Sequence, residues 1–219
     1  GAVALFFAFI PAFGKTEGAW QAIFHSVSAF NNAGFTVLPE SNSMSVLAGD
    51  YLSLGILMVL IVMGGMGFFV IADVLRLRRP SRFSLDTKIV LTASTILLFA
   101  GWITFLALES YRDSTLGDMP LLEKIVSALF HSVTARTAGF SMVPIGEIAQ
   151  ATMFFIIGLM FVGSASISAG GGIRVNTAGV LVATVLSAIS GKENVTAFGR
   201  EISHAQVHRG LAITIMSAA

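Results

Sequence analysis

One stretch of this chain occurs twice. Residues 22–35 read AIFHSVSAFNNAGF and residues 128–140 read ALFHSVTARTAGF. The copies share Ala, Phe-His-Ser-Val, Ala and a closing Ala-Gly-Phe, and the first carries one extra residue before its last five. A proline follows each copy at the same distance, Pro39 and Pro144. A repeat with so long a period marks a duplicated structural unit, and any fold assigned to the chain must contain that unit twice. Each copy is a short apolar run that stops at a glycine.

The surroundings of the repeat say where such a unit lives. Only 11% of the 219 residues are charged and 55% are hydrophobic, with a mean hydropathy of +0.84. Soluble domains carry about 25% charged residues, so the chain reads as a multi-pass integral membrane protein. A net charge of +1 gives nucleic acid nothing to bind. The absence of cysteine excludes disulfides, thiolate zinc sites and iron–sulfur clusters. Both ends fall within apolar runs, with no basic flank ahead of the first. They are read as cut ends of a larger membrane protein rather than as a signal peptide.

A helix needs about 20 apolar residues to cross a bilayer. Residues 51–72 and 89–108 qualify, and 148–173 qualifies with a continuation from 175 to 191 after the single Arg174. Residues 125–135 are too few and read as a re-entrant segment. The connection after the first span holds Arg76, Arg78, Arg79, Arg82 and Lys88, and the tail holds Lys192, Arg200 and Arg209. The other two connections hold four basic residues against eight acidic ones. Basic short loops stay in the cytoplasm, which puts Ser43 and Asp118 outside and Ser81 inside. The arginines at 76–82 are most simply orientation signals; anionic lipid or a regulatory partner is the sharper reading.

Thr16-Glu17 and Asp118-Met119-Pro120 offer capping starts for two short helices running inward. Their carbonyl ends then point at mid-membrane, and Gly34 and Gly139 let an extended segment climb out. Non-helical backbone at that depth must be buried in protein or line a water-filled path. Carbonyls facing a path are what strips a cation of its water. The predicted fold is therefore all-α, built of repeated helix–pore loop–helix units like those of potassium channels.

On FHSVSAFNNAGF (24–35), FHSVTARTAGF (130–140), GGMGFFVIADV (64–74), GSASISAGGGIRVNT (163–177) and GKENVTAF (191–198), the chain resembles the Trk/Ktr/HKT superfamily of potassium transporters, nearest its Ktr-type membrane subunits. That resemblance implies four such units around one pore, of which this chain holds roughly two. It divides the chain into the end of an outer helix (1–13) and the pore helix, filter strand and second helix of that unit (14–79). A complete next unit with a broken second helix (80–190) follows, then a cytoplasmic connection and the start of a further unit (191–219). It further implies potassium as cargo with a sodium dependence, a homodimer in the cell membrane, and a cytosolic nucleotide-binding ring as regulator. The chain itself has no GxxxxGK[ST] or GxGxxG pattern and needs no cofactor beyond the transported ion.

The candidate filter residues are Asn32, Ala33, Gly34 and Phe35 in the first copy and Thr137, Ala138, Gly139 and Phe140 in the second. A tight turn is the plain reading of either one alone; two copies, each after a short apolar helix, favour the filter. His25 and His131 are read as supports bonding backbone or Ser26 and Ser132, rather than as metal ligands or a proton relay. The run holding Gly163, Ser164, Ser166, Ser168, Gly170, Gly171 and Gly172 is too poor a helix former for mid-span. By resemblance it is the gating loop, expected to be held by few side-chain contacts. Arg174 either snorkels to the surface or holds that loop and raises a barrier. Arg136, beside a filter, calls for a carboxylate partner such as Glu147 or Glu123. Gly64, Gly65 and Gly67 read as a close helix contact rather than a second gate.

Rival readings are a secondary transporter of another solute, a non-conducting scaffold, and an intramembrane enzyme using Ser164, Ser166 or Ser168. Inverted repeats typify many transporters, whereas these copies share one direction. No general base, GxSxG or HExxH accompanies the serines, so the chain is not read as an enzyme.

Overall fold

Helix α1 (Ala2–Phe30) has the length of a single crossing, but Gly14 breaks it. With φ 74° and ψ −179°, Gly14 sits in a region essentially closed to other residues. In a straight helix, residues 9 and 25 would stand about 24 Å apart along the axis. Instead the rings of Phe9 and His25 meet edge-on, their centroids 6.0 Å apart. The chain has folded back into an outer segment and a short helix packed against it. Thr16 lies inside the second helical stretch, not ahead of it, so it is not the expected capping residue. Asp118 is not one either, because the residue before the first turn of α5 is Pro120, which makes no capping bond.

The computed structural model describes residues 1–38, 44–77, 82–191 and 194–218. Pro39, Ser43, Arg78, Arg79, Ser81 and Lys192 lie outside them. After the first repeat the chain is irregular to residue 38, and a single 3-10 turn (Met44–Leu47) precedes α2 (Tyr51–Met66). The Asp50 carboxylate starts α2 by accepting the Ser53 N–H at 3.1 Å. The span expected over 51–72 is not straight. It bends by 101° at Gly67 (φ 80°) into α3 (Phe68–Leu77).

Helix α4 (Leu85–Glu109) opens the second unit, with the Ser84 hydroxyl accepting the Thr87 N–H at 3.2 Å. Thr87 Oγ1 donates to Asp73 of α3 at 2.7 Å, tying the bent end of the first unit to the start of the second. Helices α5 (Leu121–Thr134), α6 (Gln150–Phe161) and α7 (Val175–Ile189) follow. A small hairpin, β1 (Thr196–Ala197) against β2 (Arg200–Glu201), then leads to α8 (His204–Ala218). Among the described residues this hairpin is the one sheet. Phe198 and Gly199 at its tip both have positive φ, the geometry of a two-residue turn that matches strand twist.

Helix α4 organises the second unit, packing on α5, α6 and α7, while α1 packs on α2. Three contacts fix the short helix α5: Trp102 Nε1 donates to Ile125 O at 3.1 Å, Ser132 Oγ to Leu98 O at 2.6 Å, and α2 lies alongside. The two units share one core, in which Phe9, Leu54, Leu57 and Phe130 are wholly buried. The outside is equally apolar. Phe154 is 81% exposed, Ile189 79% and Ile96 62%. Such a surface belongs in lipid or against further helices.

Candidate functional site

The two repeats meet at their glycines. A Cβ built on Gly34 would overlap the Ala138 carbonyl oxygen and lie 3.1 Å from Gly139 Cα; one built on Gly139 would lie 3.6 Å from Gly34 Cα. Both glycines have positive φ, 72° and 82°. So do the residues two positions earlier, Asn32 at 50° and Thr137 at 76°, whereas Ala33 and Ala138 between them do not. Positive and negative φ thus alternate over residues 32–34 and 137–139 in the same order in both copies.

The strands are braced from behind in matching fashion. His25 Nδ1 bonds Gln21 O at 2.8 Å and its Nε2 meets Thr36 Oγ1 at 3.2 Å. His131 Nδ1 bonds Ser127 O at 2.9 Å and its Nε2 accepts the Met142 N–H at 3.3 Å. Each imidazole is buried and joins its short helix to the outgoing strand. Of the partners expected from sequence, backbone is the one found rather than Ser26 or Ser132, and Ser132 serves α4 instead. One residue type that the sequence reading missed sits beside them. Ser28 Oγ donates to Phe35 O at 2.8 Å, and Thr134 Oγ1 accepts the Phe140 N–H at 2.7 Å. Their shared place in the repeat, a hydroxyl three residues after each histidine, was the available signal. Phe140 is buried, while Phe35 is exposed.

Thr134→Val keeps the shape and removes the acceptor, leaving a buried N–H unpaired at a cost of about 1–3 kcal/mol. The expected outcome in the full-length protein is a lower thermal midpoint with weakened ion discrimination. Thermal unfolding and ion-flux ratios measured side by side check it.

The glycine-rich run breaks the helix as the composition predicts, and it is tied down more firmly than expected. Val162 and Ile173 form a parallel bridge, with Gly163 N–H to Ile173 O at 3.0 Å and Ser164 N–H to Gly171 O at 3.2 Å. The last turn of α2 takes the loop's amides: Ala165 N–H to Gly65 O at 3.0 Å and Ala169 N–H to Gly64 O at 3.3 Å. Phe68 N–H donates back to Ile167 O at 3.3 Å. The glycines at 64, 65 and 67 are therefore close-contact positions, but the contact is with this loop and with Phe30. A Cβ on Gly67 would sit 2.5 Å from Ser166 O, and one on Gly64 would overlap Phe30 O. Ile167, bulky for such a run, is left-handed (φ 56°) and 65% exposed.

Arg174 Nη1 donates to Gly170 O at 2.7 Å and reaches Ala165 O at 3.4 Å, holding the loop's turn by its carbonyls. Ser168 Oγ donates to the same Ala165 O at 2.6 Å. The loop also touches the second repeat, where Thr137 Oγ1 and Ser164 Oγ lie 3.3 Å apart. Arg136 finds no carboxylate among the described residues, correcting the expected pairing with Glu147 or Glu123. It turns aside and donates from Nη2 to Ser94 Oγ at 3.0 Å, in a cavity of about 70 Å³ between α2 and α4. Among the described residues no group of acidic or histidine side chains could hold a resident metal.

Two residues tie the loop to α4 and α7 and went unnoticed in the sequence. Asn176 Oδ1 accepts the Ser166 N–H at 2.9 Å, and Asn176 Nδ2 donates to Asp86 Oδ1.

The chain belongs to the TrkH family of cation transport proteins, whose profile matches residues 1–217. It is 35% identical over 208 residues to the Ktr system potassium uptake protein B of Bacillus subtilis, covering 95% of this chain and 46% of that protein. It is 38% identical to the Ktr system potassium uptake protein B of Vibrio alginolyticus, covering 100% of this chain and 48% of that one. It is likewise 38% identical to the potassium/sodium uptake protein NtpJ of Enterococcus hirae, covering 97% and 47%. The crystal structure of the potassium transporter TrkH from Vibrio parahaemolyticus shares the fold, with a TM-score of 0.72 at 17% identity over 96% of this chain and 45% of that one. The chain thus spans about half the length of the relatives it matches.

Proposed function

We propose that this chain supplies two of the four quarters of a potassium uptake pore in the cell membrane. The observation that carries the reading is the meeting of Gly34 and Gly139 on two segments that alternate in the sign of φ in the same order. The carbonyls of 32–35 and 137–140 act as the ion ligands, and the loop 163–172 lies beneath them as the gate, with Arg174 holding it and adding positive charge to the barrier. The names of the relatives support potassium as cargo, and the potassium/sodium name supports sodium as a second ion. The word "system" in two of those names supports further subunits. A homodimer on a cytosolic nucleotide-binding ring is the assembly we assign by kinship, with the arginine-bearing end of α3 facing the cytosol.

The domain divisions follow the same reading: 1–13 closes an outer helix, 14–79 completes that unit, 80–190 is a whole unit and 191–219 begins another. Catalysis has no part in it. Full-length protein in potassium-loaded liposomes should exchange potassium, and sodium far more slowly. Equal leakage of both ions, or none above empty liposomes with correctly folded protein, overturns the reading and leaves the scaffold or another solute.

A further inference from the structure

Ser166, in the middle of the glycine-rich loop, gives its backbone N–H to a side chain rather than to another peptide group. The acceptor, Asn176, is 9% exposed and stands in the first turn of α7. A buried amide has a carbonyl on one side and an NH2 on the other, and its neighbours decide which way it faces. If Asn176 flipped, two N–H donors would face each other across the loop. Asp86 prevents this, because its carboxylate only accepts and so requires the NH2 on its own side. Asp86 is exposed, in the first turn of α4, ninety residues earlier in the chain. It lines an open cleft of about 330 Å³ between the starts of α4, α7 and α8, together with Asn176, Gln206 and Arg209. The chain of contacts therefore has one end in solvent and the other on the loop backbone.

We infer that Asp86 and Asn176 are positioning residues for the gate: Asp86 fixes the flip of the Asn176 amide, and Asn176 holds the loop in its blocking shape. The inference rests on the proposed role of the loop and deepens it. The side-chain bonds of Asn176 run to Ser166 and Asp86 and not to the strands at Gly34 and Gly139, so the pair sets how often the path is open without touching which ion passes. Asp86 acts only by what it offers the amide. A donor in its place should turn Asn176 around and release Ser166, while an amide in its place can still present an oxygen.

The test uses the full-length protein in liposomes, with folding followed by gel filtration. Asn176→Ala and Asp86→Lys should each raise potassium flux about fivefold, the population shift that one lost hydrogen bond produces. The potassium-to-sodium ratio should not move. Asp86→Asn should lie close to wild type. The double variant Asp86→Lys with Asn176→Asp should return flux toward wild type, since a carboxylate at 176 can accept from both Ser166 and the lysine. A merely structural pair would show no such rescue. Deletion of 166–170 in the same assay separates the two levels. If the deletion raises flux while Asn176→Ala and Asp86→Lys do not, or the double variant fails to restore it, the positioning role is overturned and the gate stands. If the deletion leaves flux unchanged, the gate falls and this inference with it.

Discussion

Gly34→Ser in the full-length protein is expected to lower the preference for potassium over sodium by about tenfold or more, while the protein still inserts. A left-handed backbone costs an ordinary residue about 1–2 kcal/mol, and Gly34 has φ 72°. Sterics add to this, because a Cβ at Gly34 would overlap the Ala138 carbonyl oxygen, so the opposite strand must move. One side chain therefore disturbs carbonyls in both units. Gly139→Ser should be milder: its φ of 82° carries the same backbone cost, yet its nearest neighbour is Gly34 Cα at an ordinary 3.6 Å. Competition between potassium and sodium in liposome uptake reads both variants. Unchanged selectivity in the pair would place the filter elsewhere, and a larger effect at Gly139 would refute the steric account.

Deleting 166–170 should raise potassium flux by about an order of magnitude or more, since closing contacts worth even about 1.4 kcal/mol hold nine molecules in ten shut. The ends left by the deletion can rejoin, because Ser164 and Gly171 are already hydrogen-bonded across the loop. The cut also strips Arg174 of Gly170 O and Ser168 and leaves its charge near the path. Adding Arg174→Ala should therefore raise flux beyond the deletion alone, with the ion preference unchanged. Equal or lower flux from a folded deletion would make the run a packing element. Alanine at 170, 171 and 172 together is a different perturbation. Gly171 has open space, but a Cβ on Gly170 would stand 2.5 Å from Thr137 Oγ1, and Gly172 has φ 78°. That variant should strain the loop against the second strand rather than remove it.

What could be read from the chain alone was whatever repeats or is concentrated in sequence. The duplicated segment pointed to Gly34 and Gly139 as partners, and the structure sets them face to face. The cluster of glycines at 170–172 could not sustain a helix, and it does not. Hydropathy over 51–72 failed to show the turn at Gly67 because an apolar average is blind to φ. The capping residues were misplaced because Gly14 and Pro120 end one path and begin another without any side-chain bond. Arg136 was assigned a carboxylate on the rule that buried charge seeks countercharge, but Ser94, on a neighbouring helix, was within reach. The Asp86–Asn176 contact spans ninety positions and follows from how α4 lies beside α7, which no local pattern encodes.

The two units interrupt their second helices in unlike ways: the first by a hinge at Gly67, the second by the whole segment between α6 and α7. Were the quarters separate identical chains, any plug would be present in every one and would crowd the axis from all sides. Within these two units the segment occurs once, and the last turn of α2 receives it through the carbonyls of Gly64 and Gly65. Under the proposed reading, a lesion in that segment has no second copy in these two units to compensate it.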